Sequence, residues 1–322
     1  MRRYASSQLV SWLYARLAAS FQEMTDLSKE SRKVLAERYR LSALARADEL
    51  IAPDLTRKLL LATADGLPVE CVLIPAEEGR STACLSTQAG CAMGCAFCRT
   101  AESGLKRNLT LGEITGQLVE LCRESASAVT NVVFMGMGEP LANMEAVIDA
   151  IEILRDRRAF NLSRRRITLS TCGVIPKLRE FVRLCEVKIA VSLNATTDEV
   201  RQRLMPVNSI SPISEIMRFA REYGRTSRDR ITFEYVMMRG VNDSRDDAAR
   251  LSGLLKGLRA KINLIPFNPY EGSGFEPPAP ETVEWWSEYL RSSGVQVNVR
   301  QSRGAEIMAA CGQLAAKKIR NA

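Results

Sequence analysis

The 322-residue sequence predicts an α/β protein built on an open, partial (β/α)6 barrel, with a small helical region before it. Two observations predict this fold class. From about residue 81 onward, short and nearly continuous apolar runs alternate with amphipathic segments, which is typical of a parallel sheet covered by helices. Six such strand–helix units are two fewer than a complete eightfold barrel contains, so we expect the barrel to stay open.

Seven apolar runs are the predicted strands, and they cover 81–87, 131–137, 166–172, 187–193, 231–238, 261–267 and 296–302. The predicted helices lie between them at 110–124, 143–156, 174–186, 213–224, 245–258 and 280–293. The helix at 110–124 has the clearest pattern. Its apolar residues recur at helical spacing, and Thr110 and Glu113 are positioned to form a capping box at its start.

Residues 1–62 are predicted to form a helical accessory domain, because apolar side chains recur there at helical spacing. Residues 63–80 are predicted to be a connecting extension, since the stretch DGLPVECVLIP (65–75) has the pattern of a turn followed by a strand. The barrel is assigned to 81–302. Residues 303–322 are assigned to a C-terminal loop with a basic tail.

Composition restricts the function. The net charge of +8 favours a polyanionic partner. We find no run of 18 apolar residues and no export signal, so we expect a cytoplasmic protein without a membrane span. We also expect a monomer. Nine cysteines in such a protein are expected to be ligands, catalytic thiols or buried small residues. The absence of histidine excludes a Ser–His–Asp mechanism and removes the usual nitrogen ligand of zinc.

The stretch CAMGCAFC places Cys91, Cys95 and Cys98 at C-x3-C-x2-C spacing, directly after the first predicted barrel strand. Three thiolates so close together bind a soft metal or a cluster. Structural zinc needs four ligands, and a four-cysteine ferredoxin site needs one more cysteine than this loop has. We interpret the loop as holding a [4Fe–4S] cluster by three cysteines, with one iron left open. Zinc and unrelated buried thiols are the alternatives.

Glycine-rich or polar breaks follow the other predicted strands, at the edge of a parallel barrel where catalytic residues are found. Turns between strands and helices need such residues in any case, so a single loop says little. The breaks are GMGEP (136–140), STCG (170–173), SLNA (192–195), RGVND (239–243), FNPYEG (267–272) and RGAEIMAACGQ (303–313).

The three-cysteine motif resembles the signature of radical S-adenosylmethionine (SAM) enzymes, and further stretches in the same order resemble the RlmN/Cfr family of radical SAM RNA methyltransferases. These stretches are CLSTQAGCAMGCAFC, NVVFMGMGEPLAN, ITLSTCGV, VSLNATTDEVRQRLMPVN, ITFEYVMMRGVNDS, KINLIPFNPYEG and AEIMAACGQLAAK. The resemblance covers about residues 9–318. It implies a radical SAM barrel and methylation of carbon 2 of an adenosine in 23S rRNA and in tRNA.

The resemblance also implies the cofactors and partners. Two SAM molecules are used per turnover, one as the methyl donor and one bound at the open iron of the cluster, where it yields a deoxyadenosyl radical. An electron donor such as flavodoxin or ferredoxin reduces the cluster. Radical chemistry suits the substrate, because carbon 2 of adenine is electron-poor and cannot attack a methyl group directly.

The family's functional residues carry over onto matching positions. Cys311 corresponds to the cysteine that carries the methyl group as S-methylcysteine, and Glu70 to the proton acceptor. Cys84 corresponds to the resolving thiol, which attacks the Cys311 sulfur and forms a transient disulfide. Asn194 stands where many relatives have histidine. The implied SAM contacts are Gly138, Glu139, Ser170, Ser192, Leu193, Asn194 and Asn268.

Two other functions remain open at this point. A Cfr-type enzyme would methylate carbon 8 of the same rRNA adenosine with the same cysteines. A non-enzymatic iron–sulfur or zinc protein could bind RNA without chemistry. Basic clusters along the chain offer phosphate contacts in all three cases. They include Arg57 with Lys58, Arg164 to Arg166, and the tail residues Lys317, Lys318 and Arg320.

Overall fold

The computed structural model describes residues 3–125 and 128–315. The chain starts with two short helices, α1 (Arg3–Val10) and α2 (Lys29–Arg38), with helical turns at Ser11–Ala15 and Phe21–Glu23 between them. Ser28 caps α2, because its side chain accepts a hydrogen bond from the Ser31 amide. This region buries an apolar cluster of its own, formed by Ala18, Phe21, Met24, Leu27 and Leu35.

The second half of the predicted helical domain is not helical, which corrects that prediction. The helical region ends at Arg38, and two strands follow, β1 (Leu44–Ile51) and β2 (Arg57–Thr63). They form an antiparallel hairpin, and β2 pairs in turn with β3 (Pro68–Ala76). The sequence RKLLLAT of β2 consists largely of good helix formers, so pairing within the sheet overrides local propensity here. The strand expected within 65–75 is confirmed as β3.

Strand β3 pairs antiparallel with β4 (Arg80–Cys84), the first strand of the barrel. The loop after β4 contains a two-residue pairing of β5 (Gln88–Ala89) with β6 (Arg107–Asn108), and the single-turn helix α3 (Arg99–Glu102). The cysteine motif lies inside this loop. The antiparallel strands therefore continue the barrel sheet sideways from its first strand.

The strands and helices after this loop alternate as predicted, apart from one short extra helix, α7, before α8. In chain order they are α4 (Leu111–Glu124), β7 (Ala128–Phe134), α5 (Met144–Arg155), β8 (Ile167–Thr171), α6 (Ile175–Leu184), β9 (Lys188–Ser192), α7 (Asp198–Leu204), α8 (Ile213–Thr226), β10 (Ile231–Met237), α9 (Arg245–Leu255), β11 (Ala260–Pro266), α10 (Pro280–Ser292) and β12 (Gln296–Val299). The predicted capping box of α4 is present, with Thr110 and Glu113 bonded reciprocally.

One ten-stranded sheet runs in the order β1-β2-β3-β4-β7-β8-β9-β10-β11-β12. All neighbours from β4 to β12 pair in parallel. Strands β1 and β12 end the sheet without pairing with each other, so the open (β/α)6 barrel is confirmed, with β12 as a seventh parallel strand.

Alternation along each strand separates a helix-covered face from the inner face of the barrel. On β10, Phe233 and Tyr235 are fully buried in the main apolar core, and the Tyr235 ring packs against Trp286 of α10 at 5.3 Å between centroids. Glu234, between them, points to the inner face. None of the helices within the described residues is long and apolar enough to cross a membrane.

Candidate active site

The carboxyl ends of the parallel strands enclose a cavity of about 150 Å³, which we name the cysteine-loop cavity. Because parallel strands end at one rim, loops far apart in sequence meet there. The lining includes all three cysteines of the motif and five of the other predicted site residues: Cys91, Cys95, Cys98, Gly138, Ser170, Ser192, Asn194 and Cys311.

The cysteine motif is anchored to the barrel by its backbone. The Ala96 amide donates to the Leu204 carbonyl at 2.9 Å, and the Arg99 amide donates to the Gly312 carbonyl at 2.8 Å. Within residues 3–125 and 128–315, no group of three or more cysteines or carboxylates surrounds the position of a single metal ion. A cluster differs from a single ion because its cysteine ligands bind different iron atoms. Three thiols around one open cavity fit such a larger group.

Gly138 and Glu139 form the turn after β7. Gly138 has φ 98°, and a Cβ atom there would lie 2.5 Å from the Gln88 Cβ, so only glycine fits. Glu139 is 2% exposed, and its carboxylate accepts from the amides of Leu141 at 3.0 Å and Cys172 at 2.8 Å. Burial raises the pKa of this carboxyl, while the two amide hydrogen bonds oppose the rise. Glu139 thus ties the end of β7 to the end of β8, beneath the cavity.

Ser192 ends β9 and Leu193 follows it, and the two side chains differ in their position. The Ser192 side chain lines the cavity, whereas Leu193 is fully buried in the apolar core. Both backbone groups of Leu193 are used within the protein. Its amide donates to the Glu234 carbonyl at 2.9 Å, and its carbonyl accepts from Arg201 Nε at 3.2 Å. The structure therefore does not bring Leu193 to the wall of the cysteine-loop cavity, where Gly138, Ser170, Ser192 and Asn194 lie.

Asn194 adopts the left-handed conformation, with φ 56°, which asparagine tolerates better than most residues. Its side-chain oxygen accepts from the Val236 amide at 2.8 Å, and its side-chain nitrogen lies 3.2 Å from the Met205 sulfur. The amide group is therefore held by β10 and by the loop after α7. It lines the cysteine-loop cavity in this fixed orientation.

A second cavity of about 420 Å³ lies beside the first, and we name it the Cys84 cavity. Cys84 and Cys311 both line it, although 227 positions separate them along the chain, from 84 to 311. Cys311 also lines the cysteine-loop cavity. The predicted methyl carrier therefore lies between the three-cysteine motif on one side and the predicted resolving thiol on the other. The residues common to both cavities are Met135, Glu234, Ile265 and Cys311.

Asn268 lines the Cys84 cavity rather than the cysteine-loop cavity. Its side-chain amide donates to the Cys311 carbonyl at 3.2 Å, and its side-chain oxygen accepts from the Ser302 hydroxyl. In this position Asn268 holds the C-terminal loop, by which we mean residues 303–314. The same loop is also fixed to the cysteine motif, where the Thr100 hydroxyl donates to the Leu314 carbonyl at 2.6 Å.

The two thiols have unequal environments. Cys84 is buried, and desolvation followed by the nearby Cys311 raises the pKa of its thiol far above the usual range. Cys311 reaches solvent through the cavity, yet protein atoms crowd its sulfur. That desolvation, with Glu234 as the second cause, raises the pKa of Cys311 to about 11. Both groups are therefore thiols rather than thiolates near neutral pH, with Cys311 the more readily ionised.

Glu70 lies on β3, buried on the inner face of the sheet extension. One carboxylate oxygen forms a salt bridge with Lys58 Nζ at 3.1 Å. The other oxygen is buried and has no hydrogen-bond partner among the residues that the structure describes. Glu70 lines neither cavity. The structure therefore does not place this predicted proton acceptor in the same cavity wall as the two thiols.

Comparison with known proteins decides the family. A family model described as the radical SAM superfamily matches residues 85–252, and one described as the ribosomal RNA large subunit methyltransferase N-terminal domain matches residues 1–41. A protein of Geobacter sulfurreducens called dual-specificity RNA methyltransferase RlmN is 48% identical over 315 residues, which are 98% of this chain and 87% of that protein. The chain belongs to the RlmN family of radical SAM methyltransferases.

Further relatives agree with this assignment. An RlmN of Syntrophotalea carbinolica is 46% identical and covers 98% of this chain and 84% of its own length. The crystal structure of a radical SAM methyltransferase from Sphaerobacter thermophilus superposes with a TM-score of 0.94 at 42% identity, covering 98% of this chain and 94% of that one. The radical SAM fold predicted from the motifs is confirmed, with the RlmN family's N-terminal region before it.

Three residues near the site were not assigned a role in it from the sequence: Arg201 and Glu234 lie within the family motifs, and Lys58 lies outside them. Arg201 is fully buried, and its guanidinium donates hydrogen bonds to the carbonyls of Cys172, just after β8, and Ser192, at the end of β9. Lys58 was expected to contact RNA, but it is buried and paired with Glu70, which corrects that prediction. Glu234 lines both cavities. A charged residue within the apolar run ITFEYVMM was a signal that could have found it.

The structure gives different results for the other two basic clusters that were predicted to contact phosphates. Arg164 forms ion pairs with Asp229 and Glu186, so part of the Arg164 to Arg166 cluster is already neutralised. The predicted basic tail, with Lys317, Lys318 and Arg320, lies outside the described residues.

Proposed function

We propose that this protein is a radical SAM methyltransferase that methylates carbon 2 of an adenosine in 23S rRNA and in tRNA. One observation carries the proposal: Cys311 lines two adjoining cavities, one with the three-cysteine motif and one with Cys84. A methyl carrier must be reachable from the cofactor side and from the resolving thiol. The names of the relatives, dual-specificity RNA methyltransferases, support RNA as the substrate.

The cofactor side is the cysteine-loop cavity. Cys91, Cys95 and Cys98 would hold a [4Fe–4S] cluster, and the ends of β7, β8 and β9 would hold SAM beside its open iron. Bound together, these groups supply a carbon-centred radical after one-electron reduction, and a second SAM supplies the methyl group. Gly138, Ser170, Ser192 and Asn194 line the cavity that we assign to SAM, and the buried Glu139 fixes the strand ends below them.

The chain's own residues then act in sequence. Cys311 accepts the methyl group on its sulfur, which requires loss of its thiol proton. After the carrier carbon has joined the adenine, a base must take the proton from carbon 2, and we assign this to Glu70. The Cys84 thiol then loses its proton and attacks the Cys311 sulfur, which forms the disulfide bond and breaks the bond between that sulfur and the methylene carbon. The electron pair of the broken bond passes to the methylene carbon, which takes up a proton and leaves as the methyl group of the base.

Access of RNA follows from the position of the site. An adenine reaches the mouth of a barrel only when it is unpaired or flipped out of its helix. The net charge of +8 favours binding of phosphates, with affinity that falls as salt rises. We propose a cytoplasmic monomer that receives electrons from a small donor such as flavodoxin or ferredoxin.

Anaerobic reconstitution tests the function. Protein loaded with iron and sulfide is given SAM, dithionite and an rRNA fragment, and the RNA is mapped by mass spectrometry. We expect 5′-deoxyadenosine and an adenosine methylated at carbon 2. A carbon 8 product would instead assign the Cfr-type reaction. Formation of no 5′-deoxyadenosine would leave an RNA-binding iron–sulfur protein and refute the enzyme assignment.

A further inference from the structure

Lys58 joins two parts of the site that are far apart in sequence. Its ammonium lies 3.1 Å from Glu70 Oε1 and donates to the Met308 carbonyl, also at 3.1 Å. The side chains of Lys58 and Glu70 are only 9% and 6% exposed. Burying an ammonium is costly unless it is paired and hydrogen-bonded, so this arrangement is specific rather than incidental.

The strand register explains why the side chain is there. Lys58 on β2 is paired with Val72 on β3, and Val72 is paired with Cys84 on β4. Residues directly opposite in neighbouring strands point to the same face of a sheet. Lys58 therefore projects from the same inner face as Cys84, and the C-terminal loop packs over that face through Ala309 and Leu314.

The hairpin of β1 and β2 holds the C-terminal loop at a second point. The Gly304 amide donates to Asp54 Oδ2 at 3.2 Å. Gly304 and Met308 both have left-handed backbone conformations, with φ 62° and 54°. For methionine this conformation is unfavourable, so outside contacts are needed to maintain it. The hydrogen bond from Lys58 to the Met308 carbonyl is such a contact, three residues before Cys311.

We propose that Lys58 is a positioning residue that holds Glu70 and the loop carrying Cys311 in one fixed arrangement. The inference rests on the proposed roles of Glu70 and Cys311. Lys58 occupies one oxygen of Glu70, while the other has no partner within the described part of the chain. Lys58 also pins the loop that presents the carrier thiol. Lys58 lines neither cavity, so it acts through Glu70 and the C-terminal loop.

The test uses reconstituted protein and hydrogen exchange of the loop amides. The amides of Ile307, Met308 and Ala309 are hydrogen-bonded within the loop and report its seating. In Lys58→Met we expect their exchange to accelerate about tenfold or more, because one anchor of the loop is lost. Lys58→Arg keeps a donor and should restore slow exchange in large part. Arg57→Met, which removes the neighbouring cation paired with Glu49, is the matched control and should leave these amides unchanged.

Measurements of kcat and KM distinguish a positioning role of Lys58 from a role in packing alone. In Lys58→Met we expect kcat to fall about tenfold or more with KM for RNA unchanged, because misplacement slows the chemical steps and not binding. Lys58→Arg should recover part of kcat. Unchanged loop exchange in Lys58→Met would overturn the proposal, and so would faster exchange with unchanged kcat.

A second variant covers the case in which Lys58→Met fails to fold because Glu70 is left as an unpaired buried charge. The double variant Lys58→Met with Glu70→Gln removes that charge, and its loop amides should still exchange faster than those of the parent. Slow exchange in the double variant would overturn the proposal. If the parent enzyme methylates no RNA, the proposed function fails, whereas the exchange data still decide whether Lys58 seats the loop.

Discussion

The side-chain amide of Asn268 donates a hydrogen bond to the carbonyl oxygen of Cys311, at 3.2 Å. Asn268 follows β11 at the rim of the barrel, so the last parallel strands hold Cys311, the proposed methyl carrier, from the side opposite Lys58. The neighbouring Gln313 reinforces this contact, since its amide donates to the Pro269 carbonyl at 2.8 Å. The thiol of Cys311, the proposed carrier, is thus placed by backbone anchors on both flanks of its loop.

Asn268→Ala should therefore impair methyl transfer without unfolding the protein. Loss of the donor leaves a carbonyl of the loop unpaired, which costs about 1–3 kcal/mol. We expect S-methylation of Cys311 to slow by about tenfold, a factor equal to 1.4 kcal/mol. The measurement is the fraction of S-methylcysteine in the Cys311 peptide after a single turnover with SAM. Normal methylation in a folded Asn268→Ala protein would show that this bond does not position the carrier.

Substitution of the two thiols should give opposite results. Cys84→Ala should accumulate a covalent protein–RNA adduct, because no thiol remains to attack the Cys311 sulfur. Cys311→Ala should give neither adduct nor product, because the carrier is missing. Denaturing gels of reactions with labelled RNA distinguish the two. Cys122→Ala, outside both cavities, is the matched cysteine control and should turn over normally. Normal turnover of both site variants would refute the two-thiol mechanism.

Much of the barrel could be predicted from the sequence because its signals are local. Each parallel strand is a short apolar run, and the helices between them keep a helical period, so all six helices were located. The helix α7 was missed because its seven residues, Asp198–Leu204, are too few to show a period. The hairpin β1–β2 was missed because its strands are stabilised by partners elsewhere in the sheet, which a single segment cannot reveal.

In the candidate site, too, some features have local sequence signals and others depend on distant parts of the chain. The cysteine motif and the loop with Cys311 carry recognisable patterns, and the structure brings them to one rim. Lys58 carries no such pattern. It stands next to Arg57 in a basic pair that looks exposed, and only the strand register turns it inward to Glu70. Likewise, Asn268 was expected to contact SAM, a prediction that remains untested, while its hydrogen bond to Cys311 depends on how the chain returns across the barrel.

Arg201 should be needed for the stability of the strand ends that form the cavity. Its guanidinium is fully buried and donates to the carbonyls of Cys172 at 2.8 Å, Ser192 at 3.3 Å and Ser211 at 3.1 Å. Arg201→Met leaves these acceptors unpaired, and each unpaired buried group costs about 1–3 kcal/mol. We expect the free energy of unfolding to fall by at least about 3 kcal/mol in urea titrations.

Arg203→Met is the control for that measurement, because Arg203 lies on the same helix and is exposed. It should change the free energy of unfolding by less than about 0.5 kcal/mol. Equal effects of the two substitutions would mean that loss of a cation from α7, and not loss of the buried hydrogen bonds, destabilises the protein.

The reactivity of Cys311 should depend steeply on pH. Since desolvation and Glu234 raise the pKa of its thiol to about 11, the thiolate fraction grows as pH rises towards that value. Iodoacetamide reacts only with the thiolate. The rate of alkylation of Cys311 should therefore rise about tenfold for each pH unit between pH 7 and 10. Glu234→Gln removes the second cause and should shift this profile to lower pH. Rates come from mass mapping of the Cys311 peptide, and a plateau already at pH 8 would mean that the thiol is not desolvated as the structure indicates.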